Sequence, residues 1–278
     1  MKVFVSVDME GITGVTGWHQ VMHKDPEYGE ARERMIADVN AVIEGALEAG
    51  ATDIVVNDAH DRMGNLILSK LKPQARLISG FTKPHGMMQG VEDSDAALFV
   101  GYHARMGTSP AVMDHTLFGG CLSRVRLNGT EVGEPELNAL LAGEFGVPVV
   151  FLSGDDTVCA LARAFIGPWL RTAVVKKAIG RGAAETLHPE VTAKRIREGV
   201  RDALRDLENA RPTVVERPCT VEMDFLFTEA ADSALTAPWA ERVDGRTIRF
   251  QTQTMEEAYR TIEALGLLGS VPAMLRSL

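Results

Sequence analysis

The run MKVFVSVDMEG, residues 1–11, decides the fold. Val3 to Val7 is a short β-branched and aromatic stretch without charge, the composition of a buried strand. It ends abruptly in Asp8 and Glu10, with Gly11 behind them. Residues two apart in an extended chain point the same way, so the two carboxylates share a side and repel. Unless one is protonated, a cation between them is the natural resolution. Gly11 then lets the backbone turn away.

Working outward, the next strand-like run is Ile54 to Val56 in TDIVVNDAH. Between the two runs, Met35, Ile36, Val39, Val42, Ile43, Ala46 and Leu47 recur at helical spacing, and Gly50 follows as a C-cap, which completes a β-α-β unit. The alternation continues through strands at 76–79 and 96–100, a helix over 135–145 and a strand at 149–152. The expected fold is α/β: a mostly parallel sheet flanked by helices, with a smaller α+β second domain. Asp155 and Asp156, in SGDDTVCALARAF, read as an N-cap opening a helix and stay outside the site. Beyond Trp169, TAVVKKAIGRGAAETL reads as a strand entering a glycine turn. Pro189 to Leu207 reads as a long helix with an apolar stripe at Ile196, Val200, Ala203, Leu204 and Leu207. ENARPTVVERPCT is the linker candidate, followed by alternating strands and a final helix, MEEAYRTIEALGLL. The expected division is 1–168, a metal-binding α/β catalytic domain, and 169–278, the smaller α+β domain.

The 278 residues, 45% of them hydrophobic, suffice for one large core or a main domain plus a smaller one. A net charge of −9 argues against a nucleic-acid partner, which needs clustered Lys and Arg. The three cysteines, Cys121, Cys159 and Cys219, lack CxxC spacing and suit reduced thiols in a cytoplasmic protein. Acidic residues interrupt what would be the apolar region of a signal peptide, and no apolar run approaches the ~20 residues of a membrane span. Neither secretion nor a membrane partner is expected.

The informative feature is where metal-capable side chains fall. Ligands of open α/β sheets bind beyond the carboxyl ends of the strands. The first strand ends in Asp8 and Glu10, the second in VVNDAHD with His60, and the fourth in LFVGYHAR with His103 after Gly101. Glu134 precedes Pro135 at a helix start, where it either ligates metal or favours the helix dipole. Any one of these is ordinary at a strand end, and the set converging on one sheet edge is not. Carboxylates and imidazoles without thiolate indicate catalytic zinc rather than structural zinc. Five ligands exceed one zinc, so two metals bridged by a carboxylate such as Asp8 are expected, ~3.5–4 Å apart, activating a hydroxide. His115, in SPAVMDHTLFGG, is the candidate catalytic group, to be weighed against an ordinary surface or core histidine, with Asp114 a candidate to orient it. His19, His23, His85 and His188 read as exposed, and the methionines of KPHGMMQG as lining a core or a subunit contact.

SVDMEGITG, VNDAHDRMGNL, LISG, GYHARMGTSPAVMDH, VGEPELNA and LSGDD, in that order, resemble the bacterial zinc-dependent D-aminopeptidase family associated with dipeptide-permease operons, over nearly the whole chain. The resemblance implies that Asp8, Glu10, His60, His103 and Glu134 ligate two zinc ions per subunit and that His115 is catalytic. It also implies release of N-terminal D-amino acids from short peptides by a ring-shaped homodecamer. The segment WHQVMHKDPEYG matches no family motif and the loop ARMGTSPAVMD departs modestly, and loop variation beside a site changes substrate preference. Two rivals stand beside this expectation. A binuclear phosphoesterase would want cationic side chains, for which Arg105 and Arg62 are the candidates. A non-catalytic, metal-dependent dipeptide-binding protein would use a two-domain cleft.

Overall fold

The computed structural model describes residues 1–276. The chain begins β1 (Lys2–Val7), α1 (Tyr28–Glu48), β2 (Asp53–Asp58), β3 (Ala75–Ile78), β4 (Ala96–Tyr102), β5 (Leu122–Leu127), β6 (Thr130–Val132), α2 (Glu134–Glu144) and β7 (Val149–Asp155). It continues α3 (Asp156–Ile166), β8 (Arg171–Gly180), β9 (Ala183–Thr186), α4 (Pro189–Arg205), β10 (Cys219–Phe225), α5 (Thr228–Ala234), β11 (Glu241–Arg242), β12 (Thr247–Thr252) and α6 (Met255–Arg276).

Seven strands form one sheet in the order β3-β2-β1-β4-β7-β8-β9, parallel throughout except for the β8–β9 pair at the edge. Along β1 the side chains alternate. Val3, Val5 and Val7 enter the core under α1 and α4, and Phe4 enters the core on the other face. α1 buries Met35, Ile36, Val39, Val42, Ile43 and Ala46, the spacing legible in the sequence. α4 buries Ile196, Val200, Ala203 and Leu204 in that same core. Five antiparallel strands, β11-β12-β10-β5-β6, form a second sheet whose Val125, Val221, Met223 and Phe250 pack into the opposite core with α6.

The expected 168/169 boundary does not separate the two sheets. β8, β9 and α4 extend the first sheet and its helical layer, while β5 and β6, from the middle of the chain, belong to the second. A strand is assigned by the neighbour it pairs with, and β7 offers its open edge to β8 in parallel register.

The strand order places the site. After β1 the chain builds β2 and β3 outward on one side and then returns to add β4 on the other. The carboxyl ends of β1 and β4 therefore flank a topological switch point, where the loops diverge and leave a crevice. Two glycines let these ends close on each other. An added Cβ on Gly11 would stand 2.0 Å from the Tyr102 carbonyl oxygen, and one on Gly101, at φ +71°, would stand 2.3 Å from that of Asp8. The Gly11 N–H donates to the Gly101 carbonyl at 2.7 Å across this seam.

Candidate metal centre

Six side chains meet at the switch point. Asp8 and Glu10 follow β1, His60 follows β2, His103 follows β4, Glu134 opens α2 ahead of Pro135, and His115 lies on the loop between β4 and β5. All six are buried. Asp8 stands between two donor pairs: its Oδ1 is 3.3 Å from His60 Nδ1 and its Oδ2 is 3.4 Å from His103 Nε2. Glu10 Oε2 is 3.1 Å from His60 Nδ1, and Glu134 Oε2 is 3.1 Å from His103 Nε2. His115 Nε2 is farther off, 4.0 Å from Glu10 Oε1 and 3.9 Å from Glu134 Oε1, with its ring stacked on His103 at 4.0 Å between centroids.

Each imidazole is oriented from behind. His60 Nε2 lies 2.9 Å from the Val21 carbonyl, His103 Nδ1 3.0 Å from that of Ala104, and His115 Nδ1 2.9 Å from that of Met113. A carbonyl only accepts, so each of these nitrogens carries a proton and the opposite nitrogen is turned toward the site. Asp114 is not the group that orients His115. Its carboxylate accepts from Arg181 Nε at 2.9 Å and from the Gly107 N–H at 2.7 Å. Asp58 likewise faces away, accepting from the Asn65 and Leu66 N–H groups and so shaping the loop that carries His60.

The electrostatics are those of crowded anions. Burial, with the Glu10 charge behind it, pushes the Asp8 carboxyl up to about 8. Burial also opposes ionisation of Glu10, but the charge and hydrogen bond of His60 outweigh it and hold Glu10 well below the usual carboxylate range. Burial disfavours charge on His60 and His103, yet Glu10 beside the first and Glu134 beside the second carry both well above the usual imidazole range. His115 lies below that range, through burial first and the His103 charge second.

The donor set fits a metal. Asp8 Oδ2, Glu10 Oε2 and His103 Nε2 are buried, and beyond the charge contacts above none of them makes a well-directed hydrogen bond, which costs free energy that a cation would recover. Two groups of ligand atoms each lie within 4.8 Å of one another: Asp8, Glu10 and His103 in one, His103, His115 and Glu134 in the other. The structure thus gathers every site residue expected from sequence.

Lys176, on β8, is a site residue that sequence reading missed. It is fully buried, and its ammonium donates to the carbonyls of Glu10, Ile12 (3.0 Å) and Val15, clamping the loop that presents Glu10. The alternation of β8, with Ala173 and Val175 inward, would bury Lys177 rather than Lys176, so the sequence carried no signal for it. His85, expected exposed, is buried, its two ring nitrogens 2.7 Å from Glu92 and 2.9 Å from Glu256. His19, His23 and His188 stay at the surface, the last capping α4, and Asp155 caps α3 by accepting from the Val158 N–H at 2.8 Å.

Residues 1–264 match a family model described as D-aminopeptidase, of the peptidase M55 group. The chain belongs to this family. Over 265 residues, 94% of the chain and 95% of the relative, it is 38% identical to a D-aminopeptidase of Bacillus subtilis strain 168. Its fold is similar to that of a solved structure described as the Zn-dependent D-aminopeptidase DppA from Bacillus subtilis, a self-compartmentalizing protease. The TM-score is 0.94 at 36% identity, with 98% of each chain covered.

Proposed function

We propose that the chain is a cytoplasmic zinc-dependent aminopeptidase that releases N-terminal D-amino acids from short peptides and assembles as a homodecamer. The observation that carries the reading is the trio of buried atoms on Asp8, Glu10 and His103 that make no well-directed hydrogen bond, in a chain of this family. In this reading Asp8, Glu10, His60, His103 and Glu134 would hold a pair of zinc ions. When bound, such a pair supplies Lewis acidity toward a water and toward the scissile carbonyl. The chain's own residues do the rest. The Val21 and Ala104 carbonyls fix the ligand tautomers, and Lys176 fixes the loop behind Glu10. His115, whose charged form burial disfavours and which the Met113 carbonyl turns inward, offers Nε2 as the atom that takes and returns a proton. A cavity of about 650 Å³, lined by Trp18, Met22, Met63, Phe81, Leu117 and Phe118 among others, opens onto these groups and suits a short peptide with small side chains.

Of the rivals, the phosphoesterase lacks free cationic support. Arg105 faces Glu131 at 3.5 Å and Arg181 is engaged by Asp114, leaving Arg62 at the rim. The three free, buried cysteines support a reducing compartment. Among the described residues no helix is long and apolar enough to cross a membrane. The test measures amino-acid release from D-alanyl and L-alanyl amides by chelated and zinc-reloaded protein. Zinc-restored cleavage of the D-amide is the expected result, and equal cleavage of both, or none after reloading, refutes the reading.

A further inference from the structure

The cavity wall carries one carboxylate that the centre does not use. Glu263, on α6, lines the same cavity as Asp8, Glu10, His60, His115 and Glu134. It is part-buried, and among the described residues its carboxylate has neither a hydrogen bond nor an ion pair. Its place is tightly defined, since an added Cβ on Gly86 would stand 3.1 Å from Glu263 Oε1 and 3.3 Å from the Tyr259 hydroxyl. A further negative charge facing Glu134 in a confined cavity costs free energy unless a cation arrives to meet it. Lys83, the nearby cation, has its ammonium directed to Asn57 Oδ1 and the Asp58 carbonyl, both at 2.5 Å. The chain leaves a positive charge to be supplied from outside, and it leaves it beside the cleavage chemistry.

We propose that Glu263 receives the free α-ammonium group of the substrate, an inference that rests on the aminopeptidase reading above. The chemistry of an exopeptidase requires such a receptor. A chain end differs from an internal residue by one cationic amine, and an acylated or internal nitrogen would leave Glu263 buried by substrate and unpaired, a penalty that rejects it. Burial and the Glu134 charge push the Glu263 carboxyl up to about 7, with Lys83 opposing, so an arriving ammonium also favours its ionised form. Glu263 would bind and orient the substrate without touching the scissile bond.

The experiment compares zinc-loaded wild type, Glu263→Gln and Glu263→Asp by calorimetric binding of D-alanine and of propionate, which lacks the amine. Kinetics on D-alanyl p-nitroanilide run alongside, with zinc content and thermal unfolding measured for each. We expect Glu263→Gln to weaken D-alanine binding roughly 10- to 100-fold and to raise KM by the same factor, with kcat, propionate binding and zinc content little changed. Glu263→Asp should fall between the two, which tests the charge even where the glutamine variant folds poorly. If both variants bind D-alanine as wild type does at full zinc occupancy, the amine is held elsewhere, for example by the cation pair, and the proposal is overturned. Wild type that releases no D-alanine with zinc bound would refute the aminopeptidase reading instead, before any variant is made.

Discussion

Asp8 turns one oxygen to His60 and the other to His103, so its removal should uncouple the two halves of the centre. Asp8→Ala is expected to drop zinc content below two per chain and to lower turnover by roughly 1,000-fold or more, checked by metal analysis beside a release assay. His115 differs in kind. Set back 3.9–4.0 Å from the carboxylates, it should be dispensable for metal. His115→Ala should keep its zinc and lose roughly 100- to 10,000-fold in kcat. Full turnover with metal bound would remove His115 from the mechanism. At this scale the sequence was informative where a patterned strand or helix ended in a side chain that its pattern did not need: Asp8, Glu10, His60, His103 and Glu134 all sit at such ends. It was mute where burial depends on distant partners. Lys176 sits beside Lys177 in VVKKAIG, and only the carbonyls of residues 10–15 make the first of them an interior residue. His85 was hidden for the same reason, because Glu256 lies 171 positions away.

Elements hold the site by close approach. The β1 and β4 ends touch through Gly11 and Gly101, and Gly101 needs both its positive φ and its missing side chain. Gly101→Ala should cost on the order of 1–3 kcal/mol of stability from the backbone alone, and more from the displaced Asp8 carbonyl, seen as a lowered Tm and weaker zinc binding. The loop after β1 is tied to α1 by Asp38, whose carboxylate accepts from the Thr13 N–H and hydroxyl at 3.0 Å each. Burial pushes Asp38 up to about 6, against those hydrogen bonds and Lys176. A carboxyl raised in the folded state binds its proton more tightly there than in the unfolded chain, so its contribution to stability falls as pH rises from about 4 through 6. The stability of Asp38→Asn relative to wild type should therefore shift in the variant's favour over that window, by at most about 3 kcal/mol, in urea titrations across pH. A pH-independent difference would contradict this. The β1-α1-β2 unit was legible because its periodicities are local. The placement of β8 and β9 in the first sheet and of α4 on its face was not, since an amphipathic stripe names a buried face without naming its partner. The β5–β6 hairpin did carry its signal, Asn128-Gly129, both at positive φ and placed between alternating strands.

The whole molecule joins a parallel sheet that presents the ligands to an antiparallel sheet packed with α6, and α6 helps wall the cavity. Binding that favours only the folded chain stabilises it, so chelation should lower Tm, by the equivalent of about 4 kcal/mol where free zinc had been 1,000-fold above Kd. Phe81, Leu68, Phe227 and Trp239 remain more than half exposed on the single chain, apolar surface that assembly would cover. Light scattering should give about ten times the 30.2 kDa of one chain, whereas a monomer at micromolar concentration would contradict the proposed ring. The most direct measurement is anomalous diffraction at the zinc edge from crystals grown in zinc. Two peaks ~3.5–4 Å apart, either side of the Asp8 carboxylate and in bonding range of Glu10, His60, His103 and Glu134, are the predicted result. Density without peaks there, or zinc bound only at the surface, would contradict the account.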